Sequence, residues 1–242
     1  MPDTGLMCSV RRLGPELVKL FLLGNKAGGE HQHEDKGSFV LECAGDSFAF
    51  DYGVVDYANP VMELLKHAQR HNMLTPWSDT ARPKPQNPIH VDVLPHGTGD
   101  ATRFHATMDL HAGWEGWFTQ WQRTWDSPSA DTVTITDEWA VAQGRGVIFH
   151  WTTQLPMRLE GNRVLIEGRR ATAELTFTEG VEARIELLPL QDPRRTAVEQ
   201  GRRDIIQFGW KLGQTQPLLT LRQTGTSGVL RVTVRLKLKS SV

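Results

Sequence analysis

Leu230-Arg231-Val232-Thr233-Val234-Arg235-Leu236-Lys237-Leu238-Lys239 alternates apolar and polar residues without a break. A period of two belongs to a β-strand with one buried face, because successive side chains point to opposite sides of the backbone. Leu230, Val232, Val234, Leu236 and Leu238 form the dry side. The basic side, Arg231 to Lys239, reads as a solvent face that also protects a sheet edge. The same texture recurs upstream. Ala171, Ala173, Leu175 and Phe177 alternate with Thr172, Glu174 and Thr176. After Thr178-Glu179-Gly180 the alternation resumes at Val181, Ala183, Ile185 and Leu187, which predicts a hairpin. Gly161-Asn162 predicts another, with a two-residue loop between residues 157–160 and 163–167. Residues 18–23 and 38–50 read as strands, with a turn at Ala44-Gly45-Asp46. Residues 60–70 are the one helical piece, opened by Pro60 and carrying Leu64, Leu65 and Ala68 on one face. Many short strands with little helix predict an all-β fold, an antiparallel β-sandwich with one short helix.

The chain has 242 residues, enough for one large β domain, and its 39% hydrophobic content supports a real core. With 27 basic and 28 acidic residues the net charge is −1, which gives no global attraction to nucleic acid. No apolar run reaches the roughly 18 residues of a membrane span. The start, Met1-Pro2-Asp3-Thr4-Gly5, is not the basic-then-apolar pattern of a signal peptide, and it leaves the compartment unassigned. The two cysteines, Cys8 and Cys43, make no disulfide framework, and Cys43 sits in an apolar alternation as a buried thiol would. Pro76 to Pro95 carries five prolines and reads as a surface loop.

Chemistry concentrates between the first strands. His31-Gln32-His33-Glu34-Asp35-Lys36-Gly37-Ser38-Phe39 is followed by Asp51-Tyr52-Gly53, Tyr57 and His71-Asn72. Imidazoles and carboxylates in such density suit a metal site or an acid/base site, or are polar loop residues with no ligand. Zinc favours imidazole nitrogen and carboxylate oxygen. His33, Asp51 and His71 would supply three such ligands from three segments, leaving a position for water or substrate and clipping loop and helix onto the sheet. His-x-His-x-Asp also resembles the metallo-β-lactamase motif, but Lys36 stands where that motif continues into another histidine.

The order and spacing of His31, His33, Asp35, Gly37-Ser38-Phe39, Gly45, Asp51-Tyr52-Gly53, Tyr57 and His71-Asn72 resemble the heparinase II/III-like family, in particular the C-terminal β-sandwich of those polysaccharide lyases. Arg123, Ile135-Thr136-Asp137 and the strands from His150 onward fit the same comparison. The resemblance spans nearly the whole chain, 1–242, read as one supersandwich-like domain without the N-terminal α/α toroid. It implies a lyase that cleaves uronic-acid glycans by β-elimination, with an acidic polysaccharide lying between sandwich and toroid. The toroid would then come from another domain or a neighbouring chain. By the same resemblance His31 faces the substrate, Tyr57 reaches the cleft, and His33, Asp51 and His71 hold a structural Zn2+. Asp35 and Ser38 orient the histidines, and Asn72 holds the loop by hydrogen bonds. Relatives of this kind usually work in the periplasm or cell envelope.

The resemblance also bears on the tryptophans. Trp114, Trp117, Trp121 and Trp125 are spaced like a helical stripe, yet Trp121, Arg123 and Trp125 also alternate as a strand, which is the reading preferred here. Large aromatics of this kind fill a sandwich core more readily than they stack on sugars. Arg123 is the candidate surface cation for an acidic chain. Rival functions are a non-catalytic, metal-stabilised module that binds acidic glycan, and a hydrolase that activates water at an open metal position.

Overall fold

The computed structural model describes residues 5–28, 33–53, 65–80, 82–85, 91–189 and 215–240. Among them run β1 (Leu6–Leu13), β2 (Glu16–Leu23), β3 (Phe39–Cys43), β4 (Asp46–Ala49) and β5 (Leu74–Trp77). There follow β6 (His96–Gly99), β7 (Phe104–Asp109), β8 (Phe118–Ser129), β9 (Thr132–Val141), β10 (Gly146–Thr152) and β11 (Met157–Glu160). The last are β12 (Arg163–Glu167), β13 (Ala171–Phe177), β14 (Glu182–Pro189), β15 (Thr215–Thr224) and β16 (Ser227–Leu238). They form an eight-stranded sheet, β11-β12-β13-β16-β9-β8-β7-β6, and two four-stranded sheets, β1-β2-β3-β4 and β14-β15-β10-β5. Every pairing is antiparallel.

One hydrophobic core lies between these sheets. The two four-stranded sheets meet where Phe50 N–H donates to the Thr152 carbonyl at 2.9 Å and Trp151 Nε1 donates to the Phe48 carbonyl at 2.9 Å. Phe39 on β3 packs edge-on against Trp125 of the large sheet and Trp151 of β10, so one aromatic joins all three sheets. The residues that read as β16's dry face are the buried ones, with Leu230, Val232 and Val234 fully enclosed. Each such side chain contributes roughly 1.5–3 kcal/mol. A slip of one residue would turn Arg231, Thr233 and Arg235 inward instead, so burial fixes the register. Cys43 is buried, and burial, with Glu16 and Asp46 nearby, pushes its thiol up to about 11.

Three local expectations are corrected. The strands on either side of Thr178-Glu179-Gly180 exist, but they do not pair with each other. β13 lies between β12 and β16, whereas β14 pairs with β15 in another sheet. The connection therefore crosses between layers. β16 is not an edge strand, since β13 and β9 flank it, and its basic residues cover the outer face of the large sheet. Of the helix expected at 60–70, residues 60–64 lie outside the described residues, and Ala68–Arg70 forms a single 3-10 turn. The Gly161-Asn162 hairpin forms as read, with Glu160 opposite Arg163. The turn after β3 also forms, with Ala44 and Gly45 both left-handed at φ 53° and 81°. Trp121 and Trp125 lie on a strand and are fully buried, so they fill the core.

Candidate functional site

The histidine loop leaves β2 and returns into β3. Its base closes where Gly37 N–H donates to the Leu23 carbonyl at 2.7 Å and Leu23 N–H donates to the Ser38 carbonyl at 2.9 Å. Within the loop Ser38 N–H donates to the Asp35 carbonyl at 2.8 Å, a tight turn that needs Gly37 at φ +94°. A Cβ on Gly37 would stand 2.5 Å from Leu110 Cδ2. Gly37→Ala is therefore expected to cost about 1–3 kcal/mol, from left-handed backbone and the Leu110 clash together, as measured by urea unfolding.

The loop is stitched to the segment that carries His71. Glu34 N–H donates to the Lys66 carbonyl at 2.8 Å, and the Glu34 carboxylate accepts from Ala68 N–H at 3.0 Å. Arg82 grips the same carboxylate with both Nη atoms, at 2.7 and 3.2 Å. Fork-to-fork pairing of this kind adds direction as well as energy.

These bonds bring His33 and His71 together, both buried, with ring centroids 5.5 Å apart. One ligating atom from each of His33, Asp35 and His71 lies within 4.8 Å of the other two. His71 Nδ1 meets Asp51 Oδ2 at 2.8 Å, and Asp51 Oδ1 accepts Gly53 N–H at 2.8 Å. The Nε2 atoms of both histidines are buried with no hydrogen-bond partner. Burial pushes the Asp51 carboxyl up, but His71 beside it, the Gly53 N–H and His33 outweigh that and hold it down at about 2. Burial works against charge on His71, yet Asp51, Asp35 and Glu34 raise its pKa above the usual value. Burial and the neighbouring His71 lower that of His33. Two carboxylates against two imidazoles, with both Nε2 atoms unpaired, form a group that could hold a cation. Oxygen and imidazole donors suit zinc, and a carboxylate behind the imidazole is how a ligating histidine is usually oriented.

Asp35 thus stands in the cluster with the two histidines, and Asp51 is bonded to His71. Ser38 serves Asn72 rather than a histidine ring: its Oγ accepts Asn72 N–H at 3.1 Å. Asn72 is fully buried and uses its whole amide. Nδ2 donates to the Phe39 and Phe50 carbonyls, and Oδ1 accepts from Thr152 N–H and Oγ1. It joins β3, the end of β4 and β10 immediately beside His71. His31 and Tyr57 lie outside the described residues.

Arg123 is a correction. It is fully buried, not a surface cation. Nε and Nη2 pair with the two oxygens of Asp137, each at 2.8 Å, while Nη1 donates to the Gly37 carbonyl at 2.7 Å and the Asn72 carbonyl at 2.9 Å. A guanidinium so engaged does not reach a ligand. It holds both loops of the site through their carbonyls. The signal was in the strand period, which places Arg123 on the same face as Trp121 and Trp125.

Fold and site together define an antiparallel β-sandwich with a buried histidine–carboxylate cluster beneath its first loop. The sequence profile of the family "Heparinase II/III-like, C-terminal" matches residues 17–211, and the chain belongs to that family. Among curated proteins none matches it in sequence. Among solved structures it is similar to a heparinase III with methylated lysines, at 12% identity and TM-score 0.72, over 100% of this chain and 35% of that one. It is similar also to the heparan sulfate lyase HepC of Pedobacter heparinus, at 13% identity and TM-score 0.71, over 100% of this chain and 36% of that one. The chain thus spans about a third of the length of these two structures. A mutarotase candidate, YeaD of Salmonella typhimurium, shares the fold at 10% identity and TM-score 0.51, over 95% of this chain and 96% of that one.

Proposed function

We propose that the chain is the β-sandwich half of a polysaccharide lyase, which cleaves uronic-acid glycans by β-elimination against an α/α toroid domain. The family match and the two neighbours, named a heparinase III and a heparan sulfate lyase, whose chains extend well beyond this one, support the reading. The observation that carries it is the buried cluster of His33, His71, Asp35 and Asp51, which anchors the loop two residues after His31.

The elimination needs a group that neutralises the uronate carboxylate, a base for the C5 proton and an acid for the departing C4 oxygen. His31 is assigned the carboxylate and Tyr57 the proton work. His33 and His71 are assigned to a zinc ion, with Asp35 and Asp51 as the carboxylates around it. When bound, the ion supplies a rigid cross-link between the two loops. Asp51 sets which His71 nitrogen is free, and Asn72 and Arg123 keep the His71 turn against the sheet. A pre-set loop lowers the ordering needed when the substrate arrives.

The chain covers 96% of YeaD, so this fold need not be joined to a toroid, which favours as the second reading a module that binds acidic glycan by itself. Incubation with heparan sulfate or alginate, with and without an α/α toroid from a heparinase III, separates the two. The expected result is ultraviolet-absorbing unsaturated product only with the toroid present. His31→Ala and Tyr57→Phe each lower the rate by about a hundredfold or more. Binding with no product under any pairing favours the module. Cleavage without unsaturation favours the hydrolase.

A further inference from the structure

A groove of about 410 Å³ opens along one face of the β14-β15-β10-β5 sheet, a size in the range of small-molecule sites. We propose that it binds the uronate carboxylates of an acidic glycan. The choice of glycan rests on the proposed lyase function.

Strand register builds the groove. Arg184, Thr220 and His150 lie in one row across β14, β15 and β10, and Glu182, Arg222 and Ile148 in the next. Phe149 and Trp151 point to the opposite face, into the core. Arg70 closes one side. It ends the 3-10 turn directly before His71, so the groove borders the segment that carries the histidine site.

Among the described residues the guanidinium groups of Arg70, Arg184 and Arg222 and the carboxylates of Glu182 and Glu186 line this space. Arg184 and Arg222 share Glu182, the second at 3.5 Å, and Arg222 also lies 4.4 Å over the Trp77 ring. The Arg70 side chain makes no hydrogen bond or ion pair among the described residues, and Tyr52 and Glu186 are the groups that act on its charge. Arg82, which also lines the groove, is neutralised by Glu34. The surplus is positive, and guanidinium forks match planar carboxylates.

His150 gives an independent pointer. It is buried in the groove floor, with Nε2 held by Thr75 Oγ1 at 3.0 Å and Nδ1 without any partner. Burial, with Arg70 nearby, pulls its pKa down to about 3, so the ring is neutral at physiological pH. The unpaired Nδ1 is an enclosed acceptor beneath this cationic lining, so a sugar hydroxyl would reach it only if the side chains above it shifted.

The test is calorimetric titration of the full chain with an alginate hexasaccharide, a heparin hexasaccharide and cellohexaose. The alginate and heparin hexamers are expected to bind with strong salt dependence, and cellohexaose at least about tenfold more weakly. Arg70→Gln/Arg222→Gln should weaken both acidic hexamers at least about tenfold, with metal content and unfolding temperature unchanged. The exposed Arg184→Glu, which leaves the groove floor intact, should weaken them several-fold. Variants that bind like wild type, equal binding of cellohexaose, or no binding of either acidic hexamer overturns the proposal. Binding of heparin alone overturns the carboxylate assignment in favour of sulfate. Variants that lose the toroid but keep the glycan overturn it in favour of a protein interface. The lyase reading fails separately: hexamer binding that persists without product leaves the groove assigned, whereas undiminished product from the groove variants overturns the groove alone.

Discussion

Arg123→Met is expected to destabilise the chain by about 3–5 kcal/mol, enough to unfold a domain of ordinary stability near its working temperature. The side chain is fully buried, and so is its partner Asp137. Methionine would fill much of the volume but leave Asp137 as a buried charge, satisfied only by Trp121 Nε1 at 2.7 Å. The Gly37 and Asn72 carbonyls would lose their shared donor. The guanidinium also lies 5.2–5.7 Å from the Trp121, Trp125 and Phe149 ring centroids, contacts that a thioether replaces only in part. The double variant Arg123→Met/Asp137→Leu separates two roles. Removing both charges should recover most of the stability, because a buried pair often does no better than apolar residues of equal volume. It should not recover metal affinity in full, because the Gly37 and Asn72 carbonyls then lack the donor that ties both loops to β8. Urea unfolding and metal titration of the same protein check both. Full recovery of metal binding in the double variant would show that Arg123 serves stability alone.

How much of this was legible beforehand follows from which interactions are local. Alternation is local, so β8, β13, β14 and β16 could be read as strands, and each dry face in β16 was the buried one. Alternation does not name a neighbour. The residues on either side of Gly180 look like a hairpin because both strands have a wet and a dry face, and only the tertiary structure sends them to different sheets. The basic stripe of β16 suggested an edge for a similar reason. In the sheet, Arg235 lies opposite Glu174 on β13, so the charges are matched across the face rather than guarding a rim. The histidine motif was visible because its order and spacing are carried by one stretch of chain. Arg82 gripping Glu34 was not, since 48 residues separate them and the arginine sits in a proline-rich run with no pattern. The groove was equally invisible, because Arg184, Thr220 and His150 become neighbours only through the register of three strands.

Purified chain is expected to hold about one zinc ion, and removing it with a chelator should lower stability by several kcal/mol. The Nε2 atoms of His33 and His71 are buried and unpaired, a costly state unless an ion or a proton takes up their lone pairs. His33→Ala and His71→Ala should each abolish stoichiometric binding, and the unfolding temperature should then no longer respond to chelator. The carboxylates decide the finer geometry. With Asp51 bonded to His71 Nδ1, the ion is expected on Nε2, and Asp51→Asn should weaken binding about 10- to 100-fold without abolishing it. Asp35→Ala should then remove the third ligating atom and cost more. Nitrogen NMR of the metal-loaded imidazoles reads this directly. A signal from metal on His71 Nδ1 would put Asp51 on the ion itself, as the motif implies, and Asp35 behind the histidines. Metal-free chain with unchanged stability would remove the ion from the account. The buried His71–Asp51 pair would then be charge-balanced by a proton, and the loop before His33 would be held by Glu34, Asn72 and Arg123 alone.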